Sequence, residues 1–180
     1  RSINAIMTPR TEIEWLDAND SHDQILDQIL ASPYSRFPVA RGSLDDVVGI
    51  LNGADYGEWS PQTDTFIPQH FDAKSLAGKK ACKTALLKEF ALPQTDGPLF
   101  GGIGRLAAQK GFDLLAETLD VFAKKGASVV ILGTGDREIE DMMQAAAKAF
   151  PKHVGLKIAY DNRVAHMIEA GSDFFVMPSR

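Results

Sequence analysis

From residue 79 to residue 180 the chain alternates short apolar runs with amphipathic stretches, and that alternation narrows its folds to one class. Apolar runs at 98–104, 128–132, 154–159 and 174–177 read as strands. Segments of helical spacing at 79–90, 111–125, 138–150 and 163–170 precede and separate them. In 111–125, Leu114, Leu115, Leu119 and Phe122 fall on one helical face. Strands joined by helices of this length make right-handed crossovers and lie parallel, so an α/β fold with a parallel sheet is expected here.

The first fifty residues follow a different order. Residues 12–16 alternate polar and apolar like a half-buried strand. Asp20 or Ser21 then caps a helix carrying Ile25, Leu26, Ile29 and Leu30, which Pro33 ends. Residues 37–40 and 46–51 read as two strands around a turn at Arg41-Gly42-Ser43, completing a β-α-β-β segment. Between the two parts, residues 52–78 lack periodicity and carry Pro61 and Pro68. A connection of that length is a linker, a functional loop or a seam. Three regions are expected: 1–51, a connecting segment 52–78, and 79–180.

Composition excludes several classes. The 180 residues are 44% hydrophobic and 24% charged, enough to bury a core. A net charge of −5 argues against a nucleic-acid partner. No apolar run is long enough to span a membrane and no signal peptide opens the chain, so a cytoplasmic address is expected. The single cysteine, Cys82, excludes an internal disulfide; it reads as a half-buried helix residue or, beside Lys79, Lys80 and Lys83, as a reactive thiol. His22, His70, His153 and His166 lack metal-ligand spacing, so no metal is expected. His166 falls on a helix close to the strand ends, either packed or facing a ligand. The chain opens at Arg1 without methionine and stops at Arg180, and both ends read as cut.

In parallel sheets ligands sit beyond the carboxyl ends of the strands, where helix N-termini present free N–H groups. Three positions fall on that rim. Gly101-Gly102-Ile103-Gly104-Arg105, followed by Gln109-Lys110-Gly111, places two cations and close-approaching backbone beside a helix start. That is the set a diphosphate needs, although Arg105 and Lys110 also suit a solvated loop pair. Gly133-Thr134-Gly135-Asp136 offers glycines for a positive-φ turn and an aspartate that either caps the next helix or meets a ligand. Tyr160-Asp161 offers an aromatic platform for a base beside another cap.

From Gly49 onward the chain resembles bacterial glycogen and starch synthases. Gly49 to Asp64 resembles their interdomain segment. Leu76-Ala-Gly-Lys-Lys-Ala-Cys-Lys83, Gly104-Arg-Leu106, Gln109-Lys-Gly111, Leu132-Gly-Thr-Gly-Asp136, Tyr160-Asp161, Ile168-Glu-Ala-Gly-Ser-Asp173 and Met177-Pro-Ser-Arg180 follow in that family's order. The resemblance implies a Rossmann-like sheet, the first half of the C-terminal domain of a two-domain GT-B glucosyltransferase that uses ADP-glucose. It implies that Arg105 and Lys110 hold the diphosphate, with Gly104, Gly135 and Asp136 beside it and Tyr160 near the adenine. The family's first domain and its later glutamate motif are not in this sequence, so no catalytic residue is assigned and no turnover is expected of the chain alone. The expected ligand is ADP or ADP-glucose, and no cofactor is implied.

Residues 1–51 resemble the opening of a CBS domain of the CorC/hemolysin-related efflux type, through Ile6-Met-Thr-Pro-Arg-Thr-Glu-Ile13, Ser35-Arg-Phe-Pro-Val39 and Gly42 to Ile50. CBS modules bind adenosine nucleotides through an aspartate in a Gly-Ile-x-x-x-x-Asp element, which Gly49 to Asp55 fits. Asp55 is therefore the candidate ribose contact, or a plain loop residue. The chain as a whole reads as a fusion of the two families, natural or artificial, with three outcomes: a partial ADP-binding rim, a nucleotide-sensing CBS-type module, or a scaffold without a ligand. An uncovered sheet edge beside 174–177 would be met by the CBS-like strands or by a homodimer.

Overall fold

The computed structural model describes residues 10–34, 36–52 and 57–180. The chain divides into two compact units, residues 1–60 and 61–180.

In the first unit a 3-10 turn, Arg10–Glu12, leads into strand β1 (Leu16–Asp17), helix α1 (His22–Ala31), and strands β2 (Arg36–Arg41) and β3 (Ser43–Asn52). The sheet order is β1-β2-β3; β1 runs parallel to β2, and β2 and β3 form an antiparallel hairpin. Gly42 turns that hairpin at φ +66°, a value glycine adopts without a steric cost. Leu16, Phe37 and Ala40 are buried. Ser21 opens α1 with a capping box: its hydroxyl accepts from Gln24 N, and the Gln24 side chain accepts from Ser21 N at 2.9 Å. The strand expected at 12–16 shrinks to Leu16–Asp17. Leu16 faces Val39 in register, so the next partner for Trp15 is Pro38, which has no N–H to give the ladder.

The second unit is the expected parallel sheet. Helix α2 (Ala77–Glu89) is followed by β4 (Leu99–Ile103), α3 (Phe112–Lys124), β5 (Ser128–Gly133), α4 (Arg137–Ala149), β6 (Val154–Ile158), α5 (Asn162–Gly171) and β7 (Phe174–Phe175). All pairings in the order β6-β5-β4-β7 are parallel, and every residue of the central β5 is buried. β7 is shorter than expected, although Val176 N continues the ladder by donating to Gly101 O at 2.8 Å. Two adjacent glycines show why the middle of β4 carries no side chains. A Cβ on Gly101 would lie 2.2 Å from Ser172 Oγ and 2.6 Å from Ile168 of α5, and one on Gly102 would face Phe112 of α3. Successive strand residues point to opposite faces, so α5 covers one face and α3 the other. Phe112, Leu115, Leu119, Ile139 and Met143 of α3 and α4 pack on Val129, Ile131 and Val154.

Residues 61–76, which show no periodicity, are strapped to α2 and α5 by specific contacts. Asp64 and His166, 102 residues apart, are both buried, with Oδ2 and Nδ1 2.7 Å apart. Asp64 Oδ1 accepts from Phe66 N at 2.8 Å, and the Phe66 ring centroid lies 4.9 Å from that of His166. Ile67, Cys82 and Ala170 cluster with Phe71. Cys82 is fully buried rather than half-buried; its thiol donates to Gln69 O at 3.2 Å, and burial pushes its pKa up, away from nucleophilic use.

Removing the Asp64 carboxylate leaves a buried imidazole without that partner. Asp64→Ala is expected to destabilise the second unit by about 1–3 kcal/mol in urea unfolding, the usual cost of an unsatisfied buried polar group.

Candidate functional site

β4, β5 and β6 each end in a loop that opens a helix, and these three loops carry the residues expected at the nucleotide, Gly104, Arg105, Lys110, Gly135, Asp136 and Tyr160. The first two are one piece of backbone. Gly104 N donates to Leu132 O at 3.1 Å, Leu106 N to Thr134 O at 3.1 Å, and Asp136 N to Leu106 O at 2.7 Å. Leu106 and Gly135 form a parallel bridge beyond the ends of the strands. The approach excludes side chains: a Cβ on Gly133 would sit 1.9 Å from Gly104 O, and one on Gly135 2.3 Å from Leu106 O. These glycines serve close approach, not the positive φ expected of them, since neither has one.

Positive φ appears instead at Gly111, at +70°, where the 3-10 turn Ala108–Lys110 passes into α3. A Cβ there would meet Pro178 O at 2.0 Å. The segment ending at Arg180 lies over this turn: Arg180 N donates to Gln109 O at 3.1 Å, and its guanidinium donates to Ala108 O. The guanidinium also grips both carboxylate oxygens of Asp113 at 2.9 and 2.7 Å, which holds the Asp113 carboxyl below the usual range. Arg105 and Lys110 are exposed at the two ends of this loop, and Arg105 Nη2 donates to Gln109 Oε1 at 3.3 Å. One loop therefore carries both cations and leads into the start of α3.

In the second loop, Asp136 occupies the N-cap position of α4 but its side chain makes no capping bond. Glu140, from the first turn of α4, reaches back instead. Its Oε1 accepts from Gly135 N and from Thr134 Oγ1, both at 2.8 Å, and these two donors hold its carboxyl below the usual range. The sequence reading missed Glu140; the one signal was a carboxylate in the first turn after Thr-Gly-Asp.

The third loop behaves as expected at its cap and stands apart at its aromatic residue. Asp161 Oδ1 accepts from Val164 N at 3.0 Å and caps α5. Tyr160 is 94% exposed, two residues beyond Ile158, which pairs with Gly133. Glu89, at the end of α2, ties down both flanks of this loop. It pairs with Lys157 of β6 and, at 2.9 Å, with Arg163 of α5. Hydrogen bonds from Arg163 and then Lys157 hold the Glu89 carboxyl below its ordinary value. His166 belongs to the packed interior with Asp64, away from any ligand role. Asp55 lies outside the described residues. Among the described residues no cluster of His, Cys, Asp or Glu could hold a metal, and no helix is long and apolar enough to cross a membrane.

With this geometry established, the relatives locate the chain. It is 52% identical over 142 residues to a glycogen synthase from Koribacter versatilis (strain Ellin345), covering 79% of this chain and 29% of that protein. A glycogen synthase from Aeromonas salmonicida (strain A449) is 46% identical over 134 residues, 74% of this chain and 28% of its own. The second unit's architecture recurs in the catalytic domain of starch synthase IV from Arabidopsis thaliana, solved with ADP and acarbose: 37% identity, a TM-score of 0.67, 73% of this chain and 28% of that one.

Most of this chain resembles part of a glucosyltransferase. It spans under a third of the length of these relatives. No protein-family model matches the chain. A CBS domain protein from Shewanella oneidensis MR-1 aligns with a TM-score of 0.27, too low to bear on the fold.

Two outcomes test the loop architecture. Gly111→Ala forces an L residue to positive φ against Pro178 and is expected to destabilise the second unit by about 1 kcal/mol or more in urea unfolding. The second concerns acid. Because the folded-state pKa of Glu89 is depressed, its contribution is present above the unfolded carboxylate range and is lost as pH falls through the folded value. Glu89→Gln is expected to flatten the fall in unfolding free energy measured on acidification below about pH 4.5, the ordinary glutamate range.

Proposed function

We propose that the rim formed by the first two loops binds the diphosphate of an adenine nucleotide, ADP or ADP-glucose. Arg105 and Lys110 supply the charge-assisted donors, and Gly104, Gly135 and Asp136 line the approach. Tyr160 lies beside the adenine. The observation that carries this reading is the backbone bridge of Leu106 to Thr134 and Asp136, which sets the Arg105 loop against the start of α4. Glycines at 133 and 135 let the backbones of the two loops close on each other, which sets where Arg105 leaves the chain. The likeness to a starch synthase that was solved with ADP supports the choice of nucleotide. In a complete transferase the same two cations would stabilise the departing ADP as the glycosidic bond of the donor breaks.

Binding without turnover is the activity proposed for these 180 residues. Glucosyl transfer aligns donor and acceptor in a cleft that excludes water, and one rim of one sheet supplies half of that. The CBS-type reading of the first unit rests on its sequence strings and on the β-α-β-β order of its elements. Its nucleotide contact would be Asp55.

Titration calorimetry separates these sites. ADP is expected to bind saturably to the chain and to lose about ten- to a hundredfold in affinity in Arg105→Ala, the range for one charge-assisted contact of about 1.5–3 kcal/mol. Asp55→Ala is expected to leave ADP binding unchanged. Purified chain given ADP-glucose and an α-glucan primer is expected to incorporate no glucose; measurable incorporation, or ADP binding indifferent to Arg105, would overturn the proposal.

A further inference from the structure

The Glu140 carboxylate is committed to two donors on the rim. A single oxygen, Oε1, takes the Gly135 N–H and the Thr134 hydroxyl, each at 2.8 Å. The main chain of that dipeptide faces the other way onto the first loop. Thr134 O accepts from Leu106 N at 3.1 Å, and the next residue, Asp136, donates its N–H to Leu106 O at 2.7 Å. Leu106 itself is fully buried and adjoins Arg105 in the chain. A continuous path therefore runs from Glu140 through Thr134 and Gly135 to Leu106 and Arg105, every step a hydrogen bond or a peptide link.

The path matters because glycine on either side removes the usual restraints. Gly133 and Gly135 have no side chains to pack, and Asp136 does not cap α4 with its own carboxylate. Glycine loses more conformational freedom on ordering than any other residue. Glu140 is the side chain that offsets that loss.

We propose that Glu140 is a positioning residue for the nucleotide site: by fixing Thr134 and Gly135 it holds the Leu106 bridge, and through it the approach of Arg105 to the diphosphate. It touches no ligand itself. The inference rests on the ADP-binding reading of this rim and adds a residue that the reading does not contain.

Amide hydrogen exchange and ADP titration of the full chain test it together. In Glu140→Ala, exchange at Leu106 and Asp136, not only at Gly135, is expected to rise by about tenfold or more, because the opening free energy of the whole bridge falls. ADP affinity is expected to drop about tenfold at a temperature where circular dichroism shows the variant folded. Glu140→Gln keeps an oxygen that accepts both bonds and is expected to restore exchange and affinity to within about threefold of the parent. In the Arg105→Ala background, Glu140→Ala is expected to cost little more, since both changes act on one contact.

Unchanged exchange at Leu106 and Asp136 would overturn the positioning role. So would full ADP affinity in Glu140→Ala, or fully additive losses in the double variant. If the parent chain binds no ADP, the nucleotide reading fails by itself and exchange at Leu106 and Asp136 still decides whether Glu140 orders the loop. Should Glu140→Ala not fold, Thr134→Val removes one of the two donors at an exposed position and is read by the same exchange, with about a threefold rise expected and no rise contradicting the role.

Discussion

Leu106 meets Thr134 and Asp136 through main-chain hydrogen bonds just past the ends of β4 and β5, and most of what this protein presents to solvent at its sheet rim follows from that meeting. Parallel strands diverge once their ladder ends, so loops beyond them normally separate. Here the ladder is continued by one bridge, which requires the peptide planes of Gly104 and Leu106 to lie where Cβ atoms of residues 133 and 135 would stand. Glycine at both positions is thus a packing requirement between backbones. The same requirement brings Leu106, the neighbour of Arg105, to Asp136 at the start of α4.

Around this rim the structure spends its charged groups on holding loops rather than on decorating the surface. Arg180 and Asp113 clamp the turn that presents Lys110. Glu89 joins α2 to both flanks of Tyr160 through Lys157 and Arg163. Glu140 holds the loop between β5 and α4. Partly exposed ion pairs contribute little to global stability, commonly under about 1 kcal/mol each, so the pairs of Arg180 and Glu89 and the Glu140 hydrogen bonds speak for local order more than for fold. Stability comes from the apolar layers on either face of β5 and from the strap that Asp64 and His166 fasten across α5.

The parts of this molecule that were legible in its sequence are those set by local periodicity. The four strands and four helices of the second unit appeared at their positions because each carries its own apolar pattern, and Asp161 was readable as a cap because a cap acts within three residues. The strap at 61–76 was not readable as packed structure. Its stabilising pair spans 102 residues, and no local pattern encodes such a contact. Glu140 was missed for a related reason: it bonds backward across the cap position that Asp136 was expected to fill. The roles of Gly133 and Gly135 were misread as conformational because sequence shows that a glycine is present, but not which backbone crowds it. In the first unit, the short β1 reflects Pro38 on the neighbouring strand, again a cross-strand effect.

The proposed rim would distinguish a diphosphate from adenine alone, because Arg105 and Lys110 stand exposed at the two ends of its first loop while Tyr160 stands exposed on another loop. The most direct measurement is the ratio of ADP to AMP affinity for the purified chain, taken by titration calorimetry at one ionic strength. If Arg105 and Lys110 grip the second phosphate, ADP binds at least about tenfold more tightly than AMP, the value of one charge-assisted contact. Equal affinities, or binding of neither, would contradict it.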